Sequence, residues 1–466
     1  MLSPLLGLIL AVLMVATRLR GSTHSLWWDE AYTAWAYVRR AGAFRNPEVY
    51  LGNNHVLFSF LTSRTSNFFG STWEPLLRFW SLVPGLIGTA VLIWWLWRRL
   101  SVPLALVTMG VLLVSMEHAR HIPEARGYGL VFLGSSLLLV AGARAGSQQP
   151  SATSDLMFVT GGWIGVAAIP TLGFAAAVQG LAALITRGNA RARLVLASGA
   201  AAITIAWWYW PLREPMLSYS TSVGSRTGDS ITPLNFLILP LEHLAAGPVM
   251  TMLPGRFAAT SAFLSAFFVL LGTSWLVREH RDIGIQIVAG VTGSMVLMGL
   301  QGIHVQPRYI FFLLPHVAVA LAAGFVTVAR WLDRHLPGKL DRTIIALFVI
   351  MALSRGLLDV IELRAEPRQA FSDSVEAVLA AEPDEIYADR LHMGYRWYLL
   401  DKRDVTVVPD RDELERLVCD TPGSFAYVPY AQSHVYPEPL RCFDDPEWLR
   451  VDPPSFHPTT VWIRPS

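Results

Sequence analysis

Charge and cysteine are what this chain has least of. Only 15% of its 466 residues are Asp, Glu, Lys or Arg, and the formal net charge is +2. Soluble domains carry roughly a quarter of their residues as charges, so a single water-facing globule is excluded. The Lys and Arg stand in short clusters between apolar runs and make no continuous basic face, so no nucleic acid is expected as a partner. There are two cysteines, Cys419 and Cys442, and their spacing fits no metal-ligand pattern. Internal repeats are also lacking, which argues against a transporter built from two related halves.

What is there is apolar. With 53% hydrophobic residues and a mean hydropathy of +0.41, the composition is that of a polytopic α-helical membrane protein. Runs near the roughly 20 residues needed to cross about 30 Å of hydrocarbon cover residues 3 to 17, 76 to 96, 102 to 116, 127 to 143, 156 to 169, 172 to 186, 194 to 210, 258 to 277, 283 to 302, 309 to 329 and 343 to 361. About 11 transmembrane helices are therefore expected, with the lipid bilayer as a partner. The 17 Trp and 22 Phe suit aromatic belts, and Trp94-Trp95-Leu96-Trp97 and Trp207-Trp208-Tyr209-Trp210 read as such.

Cations in short loops set the expected orientation. Arg98-Arg99, Arg144, the Arg187/Arg191/Arg193 group, Arg278/Arg281 and the Arg330/Arg334/Lys339/Arg342 group fall in alternate loops, which marks that side as cytoplasmic. Arg18 and Arg20 disagree, following the first span on the outer side, and are outvoted. No small-residue cleavage site follows the first span, so it reads as an uncleaved anchor.

Three outer parts are long: residues 18 to 75, residues 211 to 257 with Ser225-Arg226-Thr227-Gly228-Asp229-Ser230, and the tail. From Arg364 the charge density rises. Short apolar runs such as Ile386-Tyr387-Ala388, Val405-Thr406-Val407-Val408, Phe425-Ala426-Tyr427-Val428 and Thr460-Val461-Trp462-Ile463 alternate with helical patterns near Ser374 to Ala381 and Asp412 to Val418. These predict a small C-terminal extracytoplasmic α/β domain, giving a division into 1–362 and 363–466. Both cysteines lie in that tail. Such a pair reads as a disulfide of an oxidising compartment, although spacing alone fixes no pairing.

Chemistry concentrates in three outer turns. The first contains Leu26-Trp27-Trp28-Asp29-Glu30-Ala31-Tyr32, an acid pair beside tryptophans that reads as the start of an interfacial helix, and then Gly52-Asn53-Asn54-His55-Val56-Leu57. The second runs Glu117-His118-Ala119-Arg120-His121-Ile122-Pro123-Glu124-Ala125-Arg126-Gly127-Tyr128, with more acids, imidazoles and guanidinium groups than a connection needs. A third, His304-Val305-Gln306-Pro307-Arg308-Tyr309, adds a cation at the head of a span.

This order of an Asp-Glu pair, an Asn-His segment, Glu-Ala-Arg-Gly-Tyr and Arg-Tyr-Ile-Phe-Phe-Leu-Leu-Pro resembles the GT-C glycosyltransferases. It is most similar to glycosyltransferase family 39, the relatives of protein O-mannosyltransferases and lipid A aminoarabinose transferases. The likeness covers residues 24 to 130 and 304 to 315; Asn53-Asn54-His55-Val56 stands where many relatives have His-Pro-Pro. It implies a GT-C fold in the cell inner membrane with its active site on the periplasmic face. It also implies a polyprenyl-phosphate sugar donor and a protein, lipid or glycan acceptor.

Sugar transfer from a lipid phosphate needs a carboxylate to take the acceptor's proton and cations to hold the phosphate. Asp29 is the expected base, and Glu124 the second acid, orienting acceptor or metal. Arg126 and Arg308 are expected to clamp the phosphate through paired hydrogen bonds. Glu30, about 100° round a helix from Asp29, is placed behind it, and His55, Tyr128, His304 and Tyr309 complete the substrate-binding set. No cofactor is demanded by the residues; a divalent metal ion at Asp29, Glu124 and His55 stays open. All are expected around one cavity open to the outer leaflet and to water. A polyprenyl-linked glycan polymerase or ligase, and a membrane transporter, are the competing readings; in a transporter the ionisable groups belong near mid-span, whereas here they cluster at span ends.

Overall fold

The computed structural model describes residues 2–40, 42–49, 54–145, 151–186, 191–216, 258–301, 307–335, 354, 356–365, 369–388, 393–399, 402–428, 440–453, 455 and 459–464. His304, most of the loop 211 to 257 and most of the apolar run 343 to 361 lie outside these. Two compact units emerge: Met1–Leu19 with Arg45–Leu61 and Arg78–Leu363, and Arg20–Phe44 with Thr62–Leu77 and Arg364–Ser466.

The first unit is helical. Its elements include α1 (Leu2–Leu19), the shared helices α3 (Val56–Phe69) and α4 (Glu74–Arg99), α5 (Val102–Val114), α6 (Met116–His121), α7 (Tyr128–Ala145), α8 (Ala152–Ala168), α9 (Leu172–Thr186), α10 (Arg191–Tyr209) and α11 (Ala258–Glu279). α12 (Arg281–Val288) continues through a π turn, Ala289–Gly293, into α13 (Ser294–Leu300), and two 3-10 turns lead into α14 (Leu314–His335). The short α2 (Trp28–Thr33) belongs to the second unit. Four helical segments are long and apolar enough to cross a membrane: Glu74–Arg99, Ala192–Met216, Arg281–Leu300 and Phe311–His335. This is a multi-pass membrane protein. Other apolar runs form shorter helices; α5, with 13 residues, rises only about 20 Å at 1.5 Å per residue. Sequence breaks end it early, since Ser115 is extended and its side chain accepts from the His118 amide at 3.3 Å, capping α6.

Close helix contacts use missing side chains. A Cβ on Gly134 of α7 would stand 2.6 Å from the Gly161 carbonyl of α8, and one on Gly272 of α11 would run into the Ala320 carbonyl of α14. Small residues at crossings let backbones approach where lipid removes the hydrophobic drive between helices.

In the second unit the expected alternating runs are strands: β1 (Glu385–Ala388), β2 (Thr406–Val407), β3 (Phe425–Tyr427), β4 (Leu449–Val451) and β5 (Val461–Arg464). They form one mixed sheet in the order β2-β1-β3-β5-β4, with β1 parallel to β2 and β3, and β5 antiparallel to β3 and β4. Side chains alternate across it. Ile386, Ala388, Ala426, Val461 and Ile463 pack with Phe371 and Val375 of α15 (Phe371–Ala380) and Tyr395 of α16 (Met393–Leu399). Tyr387, Phe425, Tyr427 and Trp462 face Leu414 and Val418 of α17 (Arg411–Cys419). Cys419 and Cys442 are bonded, with Cα atoms 5.5 Å apart.

Candidate functional site

The turn between α5 and α7 has no regular backbone after His121, so side-chain bonds fix its groups. His121 lies one helical turn from Glu117, and its Nε2 meets the Glu117 carboxylate at 2.9 Å while its Nδ1 meets Glu124 at 3.3 Å. Burial opposes a charge on this imidazole, but Glu124 and Glu117 prevail and raise its pKa above the usual value. Burial likewise opposes a charged Glu117, yet the hydrogen bond and charge of His121 hold its carboxyl below the usual range. The result is an acid, imidazole, acid run with His121 and Glu124 buried and Glu117 at its edge.

His55, just before α3, faces the other end of this turn. Its Nδ1 accepts from the Gly127 amide at 2.6 Å, and Arg126 Nη2 lies 3.3 Å from its Nε2. Burial first, then Arg126 and Arg308, push its pKa well below the usual value, so the ring is neutral. A neutral ring accepting at Nδ1 is assigned its proton on Nε2. That proton points toward a guanidinium, and Arg308 is near enough to add to the same positive field. Donors and cations gathered in this way are suited to an anion.

Tyr128 organises the cluster. Only 2% exposed, its ring carries the Arg126 guanidinium at 5.0 Å and packs against His55 at 5.0 Å, His121 at 4.6 Å and Phe311 at 5.7 Å. Ser135 of α7 donates to the Phe312 carbonyl, fixing the segment after Arg308. Arg308 stacks on Tyr309 with 5.4 Å to the ring centre. His55, Glu124, Arg126 and Tyr128 are thus brought together, with Arg308 and Tyr309 on the neighbouring 3-10 turn.

Sequence reasoning gave no role to Glu117 and His121, although their i,i+4 spacing was the available signal. It also misread Arg18. That residue is fully buried, donating to His118 Nδ1 at 3.0 Å and to the Leu112 and Leu113 carbonyls at 2.8 and 3.0 Å. It satisfies the end of α5 and is not a loop charge of the kind the orientation rule counts. His118 passes the link on to Thr89 Oγ1 at 3.1 Å.

Asp29 and Glu30 lie in the second unit, on α2, 6% and 1% exposed; this is more enclosed than an interfacial helix needs. Glu30 accepts from the Trp27 amide at 3.2 Å, capping its own helix. Trp28 stacks on Tyr32 at 5.9 Å. The Trp28 amide donates to Gln369 Oε1 at 2.9 Å, and the Leu26 amide donates to the Tyr398 hydroxyl at 2.8 Å. Burial, then the charge of Glu74, raise the Tyr398 pKa, and its hydroxyl donates to Glu74 at 2.9 Å.

A metal does not fit His55, whose two nitrogens face an amide and a guanidinium. Among the described residues no three His, Cys, Asp or Glu side chains are grouped to hold one.

No family model and no curated protein matches the sequence. Solved structures do match its fold, two of one protein among them. ArnT from Cupriavidus metallidurans in the apo state is 12% identical with a TM-score of 0.61, covering 99% of this chain and 97% of that one. The same protein bound to undecaprenyl phosphate is 13% identical with a TM-score of 0.58, covering 99% and 97%. At such identity the likeness is one of architecture, and the chain has the GT-C fold.

Proposed function

We propose that this protein is an integral-membrane glycosyltransferase, taking a hexosyl or pentosyl group from a polyprenyl-phosphate donor to a protein, lipid or glycan acceptor. The reaction is placed on the periplasmic face of the cell inner membrane. The observation that carries this reading is the group of buried His55 Nε2–H and buried Arg126, with Arg308 in the same positive field, beside two carboxylates. It suits a phosphate that is charged before, during and after transfer. The fold supports it, since one structure with this architecture holds undecaprenyl phosphate.

In the transfer, an acceptor oxygen forms a bond to the anomeric carbon as the bond from that carbon to the phosphate oxygen breaks. The electron pair leaves on the phosphate, whose low basicity makes a strong general acid unnecessary. Arg126 and Arg308 hold that charge, Glu124 orients the reacting partners, and Asp29 accepts the acceptor's proton. Purified protein should turn over a polyprenyl-phosphate sugar. Arg126→Ala and Arg308→Ala should each weaken binding of undecaprenyl phosphate by at least about tenfold, the size of a lost charge-assisted hydrogen bond. Unchanged binding in both variants overturns the phosphate assignment.

A further inference from the structure

Glu124 lies beyond the end of α6, in irregular backbone where its amide donates to the His121 carbonyl at 3.3 Å and its carbonyl accepts from the Arg126 amide at 2.7 Å. Neither bond fixes where the carboxylate points. His121 Nδ1 holds the carboxylate at 3.3 Å, and His121 is itself held by Glu117 at Nε2 and packed on the Tyr128 ring at 4.6 Å and the Phe311 ring at 5.3 Å. We propose that Glu117 and His121 are positioning residues for the transfer reaction, with Glu117 anchoring the imidazolium whose other nitrogen aims the Glu124 carboxylate at the substrate. This rests on the glycosyltransferase reading of the same site.

The ring satisfies both acids only with a proton on each nitrogen. Without the Glu117 charge, the imidazolium keeps one partner in a water-poor site, and the neutral ring that results has a single N–H to share. The Glu124 bond is then kept part of the time at best. A purely stabilising role accounts poorly for the trio, because buried ion pairs are often no better for stability than apolar residues of the same volume. Their geometry serves orientation, in the way that the outer partner of a ligating or catalytic histidine fixes its ring.

The test uses full-length purified protein with Glu117→Gln, His121→Gln, Glu124→Gln and the Glu117→Gln/Glu124→Gln double variant, each confirmed folded by thermal unfolding. Turnover of the polyprenyl-phosphate sugar and affinity for undecaprenyl phosphate alone are measured. Glu117→Gln should lower kcat about ten- to hundredfold, as loss of an outer orienting partner does, with lipid-phosphate affinity within about twofold of wild type. The double variant should be no slower than Glu124→Gln, since both changes act through one group. Wild-type kcat in Glu117→Gln, or a double variant slowed by the product of the single effects, overturns the positioning role. Should Glu117→Gln not fold, His121→Gln and a His121→Gln/Glu124→Gln double variant are held to the same two criteria. Failure of wild-type protein to bind undecaprenyl phosphate or turn over the donor sinks the broader reading instead.

Discussion

Asp29 and Glu30 are adjacent in sequence and differ in occupation. Glu30 returns to the Trp27 amide, an acceptor task that an amide oxygen also performs, so Glu30→Gln should leave turnover within about a few-fold of wild type. Asp29→Asn keeps the shape and removes the base, which costs about a hundred- to ten-thousandfold in rate with lipid-phosphate affinity little changed; an Asp29→Asn protein turning over normally would remove that assignment. At the acid, imidazole, acid run the effect appears against pH. The raised His121 pKa gives stability that is full below the ordinary value of 6.5 and lost as pH rises through the folded value. The lowered Glu117 pKa gives stability present above 4.5 and lost as pH falls through the folded value. Wild-type Tm should therefore exceed that of His121→Gln by the widest margin between these two values, with the gap shrinking on both sides. The acids and guanidinium groups were legible because such residues are rare in an apolar chain. Which carboxylate faces which imidazole was not, because it depends on the irregular backbone from Ile122 to Gly127. For the same reason Arg18 counted as a loop charge until its partners 94 to 100 residues away were seen.

Period-two alternation in the tail was readable as strands because the sheet buries both faces with residues of different size: Ile386 and Ala388 on one, Tyr387 on the other. Helix lengths were harder. Apolar runs mark where a chain avoids water, but caps such as Ser101 and Ser115 decide where α5 begins and ends, and the π turn at Ala289–Gly293 interrupts a run that hydropathy joins. The glycines carry information of the same local kind. Gly324 of α14 lies against the Phe268 carbonyl, whereas Gly199 of α10 has open space around it. Gly324→Val should lower the Tm of the detergent-solubilised protein markedly, through forced separation of α11 and α14; Gly199→Val should shift it little. Equal shifts would mean that the close crossing does not matter.

At the scale of the whole chain, sequence neighbours are shared out between the two compact units. The second unit takes in Arg20–Phe44 and Thr62–Leu77 along with the tail, and α2 relies on Gln369 and Tyr398 for two of its entry bonds. Ending the chain after Leu363 should abolish turnover even though no transmembrane run is lost, and limited proteolysis should show cleavage around residues 20 to 40. Cys419→Ser should cost the tail about 3 kcal/mol, the scale for closing a loop of this size, read as earlier chemical unfolding. The Trp28 amide and its Gln369 acceptor are 341 residues apart. At roughly 5 to 20 residues per second of synthesis, the ribosome needs on the order of 20 to 70 s between making one and making the other. The helix carrying the acid pair is thus born without its acceptor, and a nascent chain arrested before Gln369 should keep Asp29 reactive toward a water-soluble carboxylate reagent that the finished protein resists.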